Sequence, residues 1–228
     1  QAGRGICAHI PLQDEKGVKM DITQHISPEE FRAMLRHANT PGHEKSESDK
    51  DMETSYRNRC NSDRGRAFEN LLAKGCRYYA DRGNAIINKV YEPYGVKNIL
   101  RDGRFIGVWK DRAEPDFKGV MKGGRAIVFE AKSTHKSRMQ RDKLTDRQMS
   151  WLETQHEIGA LSFVCIDIRG KFFTIPWQIW RDMKKIFGKK FLMPGDISEY
   201  EVIYDGAVRF LEYTNGKLIT AEGVIDNG

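Results

Sequence analysis

Residues 125–132, Arg-Ala-Ile-Val-Phe-Glu-Ala-Lys, constrain this chain more than any other segment. A run rich in Ile, Val and Phe predicts a strand, and this one must also accommodate a carboxylate and an ammonium. Side chains two apart in a strand share a face, so Glu130 and Lys132 project together while Phe129 and Ala131 face a core. Upstream, Pro115-Asp116 precedes the turn-like Lys118-Gly119 and Lys122-Gly123-Gly124. Asp116 can therefore end the partner strand of a hairpin and face Glu130 across it.

Helical and extended patterns alternate around that hairpin. Ser27-Pro28-Glu29-Glu30 has the form of a capping box with Pro at the first helical position, and Phe31, Met34, Leu35 and Ala38 follow at helical spacing. Residues 40–54 have almost no apolar content and read as a linker, separating an N-terminal arm (1–55) from the main domain (56–228). A second helix is expected from Asp63 as N-cap, with Phe68, Leu71, Leu72, Cys76 and Tyr79 on its apolar face and Glu69 beside it. Strands are expected over 84–90, 125–132, 160–168 and 171–175, and residues 201–213 are strand-rich. Residues 96–109 form a hairpin turned by Asp102-Gly103. Helices are expected over 145–157, capped by Asp142 or Thr145 with Leu144, Gln148, Trp151 and Gln155 on one stripe, and over 177–187. This alternation favours an α/β fold, a mixed central β-sheet flanked by helices, over a sandwich or a bundle. Trp151, Trp177 and Trp180 recur among apolar neighbours and read as core or interface residues rather than base-stacking platforms.

A chain of 228 residues can hold one substantial domain plus an arm. Its four cysteines, Cys7, Cys60, Cys76 and Cys165, are widely spaced and include no CxxC pair. They suggest neither a zinc site nor a disulfide framework, and a reducing, cytoplasmic compartment fits. No apolar run reaches the roughly 20 residues that span a bilayer, and no secretory signal is evident. The formal charge of +6 and a pI near 9.1 are moderate. Lys/Arg clusters near the candidate site nevertheless suggest a polyanionic partner.

Cutting a phosphodiester requires an activated water, charge stabilisation at phosphorus and help for the departing 3′ oxygen, and carboxylate-held divalent metals can supply all three. Asp116 and Glu130 would share such a metal. Mg²⁺ suits the pair because it prefers oxygen ligands and keeps several waters, and Mn²⁺ would substitute. Two metals roughly 3.5–4 Å apart would fit with Glu69 or phosphate oxygens completing the shell. Lys132 would either orient the water or neutralise charge developing on phosphorus. A solvated strand face with alternating charges would carry the same Glu-x-Lys. What favours chemistry is the combination of Asp116 at hairpin spacing, an apolar frame around Glu130 and a preceding helix that bears Glu69.

Read in order, Asp63-Arg64-Gly65-Arg66-Ala67-Phe68-Glu69, Glu114-Pro115-Asp116-Phe117-Lys118-Gly119 and Phe129-Glu130-Ala131-Lys132-Ser133-Thr134 resemble the RecU-like Holliday junction resolvases of the PD-(D/E)xK nuclease superfamily. Arg147-Gln148-Met149 followed by Trp151-Leu152-Glu153 looks like that family's glutamine-bearing helix. The resemblance implies a restriction-endonuclease-like core, a homodimer, Mg²⁺ dependence and paired nicks across a four-way DNA junction during recombination. It implies catalytic places for Glu69, Asp116, Glu130 and Lys132, a supporting one for Gln148, and a metal set of Asp116, Glu130, Ala131 and Glu69. It also implies work near the nucleoid of a bacterial or phage-infected cell, with recombination partners unspecified. The chain departs from the family in its longer N-terminal arm and in Pro115, where a polar residue is more usual.

The family places a projecting stalk at 89–113, and Lys97, Arg101, Arg104, Lys110 and Arg112 make that segment basic here. Lys136, Arg138, Arg141, Lys143 and Arg147 follow the catalytic strand and suit phosphate contacts, as do Arg64 and Arg66. The N-terminal helix fits a DNA arm, a dimer-swapping element or an inert extension. Two rival functions are a nuclease of the same superfamily acting on duplex DNA, and a recombination-accessory DNA-binding protein without catalysis. The intact acidic pair and lysine argue against the second.

Overall fold

The computed structural model describes residues 6–13, 19–26, 47–91, 94–99, 105–109 and 115–226. The chain divides into two compact units, Gln1–Arg59 and Cys60–Gly228. In the first, β1 (Ile6–Gln13) and β2 (Lys19–Ile26) pair antiparallel. The amphipathic helix expected after Ser27 lies outside the described residues.

The first described helix, α1 (Glu47–Asp81), starts well before the expected cap and takes in part of the expected linker. No Gly or Pro interrupts residues 47–64, and low apolar content removes a buried face without preventing a helix. Asp63 sits inside the helix, where it pairs with Arg66 at 2.6 Å. Further along, Phe68, Leu72, Cys76 and Tyr79 are buried, as their spacing predicts.

There follow β3 (Ala85–Lys89), β4 (Tyr94–Ile99), β5 (Phe105–Trp109), β6 (Phe117–Met121), β7 (Ala126–Thr134) and β8 (Met139–Gln140). Next come α2 (Asp146–Glu157), β9 (Leu161–Ile168), β10 (Lys171–Pro176), α3 (Trp177–Arg181), α4 (Met183–Phe187) and β11 (Phe191–Leu192). The C-terminal part holds β12 (Val202–Tyr204), β13 (Val208–Tyr213), β14 (Lys217–Ile219) and β15 (Val224–Asp226). The helix expected over 177–187 is thus two short helices that meet at Asp182. The central sheet has the order β10-β9-β7-β6-β3, with β7 and β9 parallel and the other neighbours antiparallel. β4 pairs with β5 as expected, and the Asp102-Gly103 turn lies outside the described residues.

Lys118-Gly119 is not a turn but part of β6, and the reversal falls at Lys122-Gly123-Gly124. Gly119 answers a different need: a Cβ there would come within 2.1 Å of the Ile86 carbonyl oxygen on β3. At Gly75 of α1 the same logic holds, since a Cβ would meet the Val208 carbonyl at 2.2 Å. The helix can therefore lie close against β13.

Both faces of the sheet are buried along β7, β9 and β10, while β3 and β6 leave one face exposed. One packs Phe117, Phe129 and Phe163 against Phe68 and Leu72 of α1 and against Phe210 and Tyr213 of the C-terminal strands. The other packs Val128, Val164 and Ile166 against Leu152 of α2 and against Trp177, Trp180 and Met183. The indoles are core residues, as expected. Leu152 is the one fully buried residue within α2, and the expected stripe lies on the same inward side: Leu144 is buried, Trp151 packs against the core, and Gln148 and Gln155 are half-buried. Cys60, Cys76 and Cys165 are free thiols, and among the described residues no helix is long and apolar enough to cross a membrane.

Register is held by an aromatic ladder. Phe117, Phe129 and Phe163 are paired across β6, β7 and β9, with ring centroids 4.8 and 4.7 Å apart and nearly parallel planes. Phe129→Ala should cost about 3–5 kcal/mol, read as a lower urea midpoint, because a fully buried ring is lost from the middle strand. Ile86→Ala, at a side chain 64% exposed, should shift stability by no more than about 0.5 kcal/mol in the same measurement.

Candidate active site

The β6–β7 ladder ends at the pair Phe117↔Phe129, which leaves Asp116 opposite Glu130 one residue further on. The Asp116 main chain is still held from the other side, its carbonyl accepting from Val90 N at 2.8 Å. Its side chain replaces the missing ladder partner, with Oδ2 accepting from the Ala131 N–H at 2.8 Å. The carboxylate is thereby aimed at β7 by the strand end itself.

Glu130 and Lys132 share a face of β7, as period two requires. Lys132 Nζ donates to Glu130 Oε2 at 2.8 Å and lies 3.6 Å from Asp116 Oδ2. Gln148, from the first turn of α2, donates its Nε2 to the same Glu130 oxygen at 2.7 Å. Asp116, Glu130, Lys132 and Gln148 thus converge at one point. Lys132 and Asp116 keep partial solvent access, whereas the Glu130 side chain is 2% exposed.

That burial raises the Glu130 carboxyl to about 8, against the lowering pull of Lys132 and with a further raising push from Asp116. Burial also works to lower Lys132, but the Asp116 and Glu130 carboxylates outweigh it and hold the ammonium above its ordinary value. Below about pH 8 Glu130 therefore keeps its proton in the metal-free protein, beside the Lys132 ammonium and the Asp116 carboxylate, and a bound cation would displace that proton. A divalent cation fits such a donor set: two carboxylates, with remaining positions for water and phosphate oxygens. Among the described residues no three His, Cys, Asp or Glu side chains form a group able to hold an ion by themselves. Glu69 is instead engaged by Lys89, at 2.6 Å. Lys89 went unnoticed in the sequence because nothing marks a lysine twenty residues away as the partner of Glu69.

Of the expected DNA-contacting cations, Arg64 lies 3.3 Å from the His135 ring and Arg66 pairs with Asp63. Lys97 is exposed on β4, while Arg101, Arg104, Lys110 and Arg112 lie outside the described residues. Lys136, Arg138, Lys143 and Arg147 are exposed beyond the end of β7, and Arg141 is half-buried. Arg138 stacks over Phe191, its guanidinium carbon 4.6 Å from the ring centre, and Lys189 approaches the same ring at 4.9 Å. The β8–β11 pairing brings those segments together.

The family model described as RecU: Recombination protein U matches residues 63–215. The chain is similar to the Holliday junction resolvase RecU of Bacillus pumilus (strain SAFR-032), 27% identical over 172 residues, which span 71% of this chain and 78% of that protein. It is also similar to the structure of Hjc, a Holliday junction resolvase from Archaeoglobus fulgidus, with 15% identity, 47% of this chain and 76% of that one covered, and a TM-score of 0.31.

The raised Glu130 carboxyl sets a pH dependence for the metal-free protein. The folded state keeps a proton that the unfolded chain sheds, so the stabilising contribution is fully present below the usual carboxylate range and is lost as pH rises towards about 8. In chelator, the denaturation midpoint should fall between pH 5.5 and 8.5, and Glu130→Gln should remove that slope. A wild type with a flat profile would contradict the burial of this carboxyl.

Proposed function

The chain belongs to the RecU family and is a Holliday junction resolvase, a crossover junction endonuclease of a metal-dependent family; we propose that it nicks paired strands as a homodimer at Asp116, Glu130 and Lys132, with Mg²⁺. The observation that supports this reading is the convergence of two carboxylates, an ammonium and an amide at the open end of the β6–β7 ladder. Asp116 and Glu130, with the backbone at Ala131, would hold the cation, which when bound supplies charge stabilisation at the scissile phosphate. Glu69 is a further ligand in this reading, available once the Lys89 ammonium that holds it turns to a DNA phosphate.

Lys132 acts as the fixed positive charge beside that phosphate, and its two carboxylate neighbours keep it protonated. Gln148 steadies Glu130 by donating to one carboxylate oxygen. Lys136, Arg138, Arg141, Lys143 and Arg147 follow β7 directly and would carry the DNA backbone past the site, with Arg64 and Arg66 on α1 adding contacts. The β4–β5 ribbon, with Lys97 and the basic residues at its turn and base, would select the crossover. Two copies related by a two-fold axis match the two symmetric strands that must be cut.

Incubating the protein with labelled four-way junction and matched duplex, in Mg²⁺ or chelator, tests this directly. Junction should be cut far faster than duplex and only with the metal; sequence-specific duplex cleavage would point to a restriction-type enzyme instead. Asp116→Asn and Glu130→Gln should abolish cleavage while junction binding persists, and Lys132→Ala should slow it on the order of 10²–10³-fold, as loss of one transition-state charge partner does. Full activity in either carboxamide variant would overturn the site.

Binding should also weaken steeply with salt. Six to ten phosphate contacts predict a loss of roughly 10³–10⁵ in affinity between 50 and 200 mM salt, measured by fluorescence anisotropy. Arg138→Glu with Arg141→Glu should reduce affinity for junction and duplex alike.

A further inference from the structure

We propose that Thr145 is a positioning residue for cleavage: its capping box holds the carbonyl end of the Gln148 amide, so that the amide nitrogen, not the oxygen, meets Glu130. The inference rests on the roles given above to Glu130 and Gln148.

A glutamine amide has an acceptor end and a donor end of nearly the same shape. Turned one way, Gln148 bonds to the Glu130 carboxylate; turned the other, it sets one acceptor against another. Three contacts at the start of α2 decide between them. Gln148 N donates to Thr145 Oγ1 at 3.3 Å. Thr145 N donates to Gln148 Oε1 at 3.1 Å, and Thr145 Oγ1 donates to the same oxygen at 3.3 Å. With Oε1 used by the cap, Nε2 is left pointing inward, 2.7 Å from Glu130 Oε2.

Capping boxes commonly do no more than start a helix. Here the glutamine of the box is the same side chain that reaches the site, so the cap and the site are one hydrogen-bonded unit. The body of α2 has separate anchors. Leu152 is buried in the core, and Glu153 accepts from Trp177 Nε1 at 2.6 Å and from Arg181 at 2.8 Å. Loss of the Thr145 hydroxyl therefore removes two of the three contacts and leaves the Gln148 carbonyl end on the Thr145 N–H alone, so the amide is loosened while the helix stays in place.

The test is a double-mutant cycle on Thr145→Val and Gln148→Ala, with Thr145→Ser as the conservative variant. Single-turnover cleavage of a labelled four-way junction is measured at saturating protein in Mg²⁺, with junction affinity measured in chelator. Thr145→Val should slow cleavage about tenfold or more, the usual effect of losing a partner that orients a metal-site group, with affinity unchanged. Thr145→Ser should restore the rate, and adding Thr145→Val to Gln148→Ala should change nothing further. In the metal-free protein, ¹⁵N relaxation of the Gln148 side-chain amide should report greater motion in Thr145→Val than in wild type. Unchanged amide motion, a wild-type cleavage rate in Thr145→Val, or an equal slowing with and without Gln148 would each overturn the proposal. A Gln148→Ala protein that cuts at full speed would instead overturn the role given to Gln148 itself.

Discussion

The register between β6, β7 and β9 is the constraint on which the rest of the molecule depends. Phe117, Phe129 and Phe163 stack across the three strands on the face that meets α1, and that choice of face commits Glu130 and Lys132 to the other. A slip of one residue would exchange the two sets, placing a carboxylate under α1 and an aromatic ring at the site. Because the apolar penalty for that slip is large, the geometry around Glu130 inherits its precision from the core. The same register ends the β6–β7 ladder one residue short of Asp116, which turns an unpaired strand end into a place for a side chain.

Burial then sets the electrostatics. Packing on both faces of β7 leaves little water around Glu130, and the Lys132 ammonium and the Gln148 amide on one oxygen offset only part of the cost of a carboxylate there, so the carboxyl stays well above its ordinary range. Such an arrangement is a poor way to stabilise a fold, since apolar residues would fill the same space at less cost. Strongly shifted ionisable groups of this kind mark candidate functional sites.

The helix over the site illustrates a second economy. α2 has a single fully buried side chain, Leu152, and its body is held by Glu153 on Trp177 and Arg181, while the Thr145 box closes its first turn. The basic segment between β7 and α2 runs from the end of β7 to this helix, and Arg138 reaches Phe191 across the small β8–β11 pairing. A cluster of cationic side chains and the contact to Glu130 are therefore carried by neighbouring parts of one short stretch of chain.

Local patterns already determined much of this. Period two put Glu130 and Lys132 on one face, the glycine-rich reversal put Asp116 across from them, and Thr145-x-x-Gln148 contained a complete capping box. The order of acidic and basic motifs pointed to the nuclease family without any coordinates. What only the tertiary structure decided are the features that depend on distant neighbours. Lys118-Gly119 resembled a turn because glycine at that position answers to β3, which lies over thirty residues earlier and is invisible to local patterning. Residues 47–54 resembled a linker because they lack an apolar face, although nothing in them forbids a helix. The pairing of Glu69 with Lys89, twenty residues further on, is likewise set by the fold. That Glu130 is buried follows from β7 being covered on both sides, which is a property of the packed core and of no single segment.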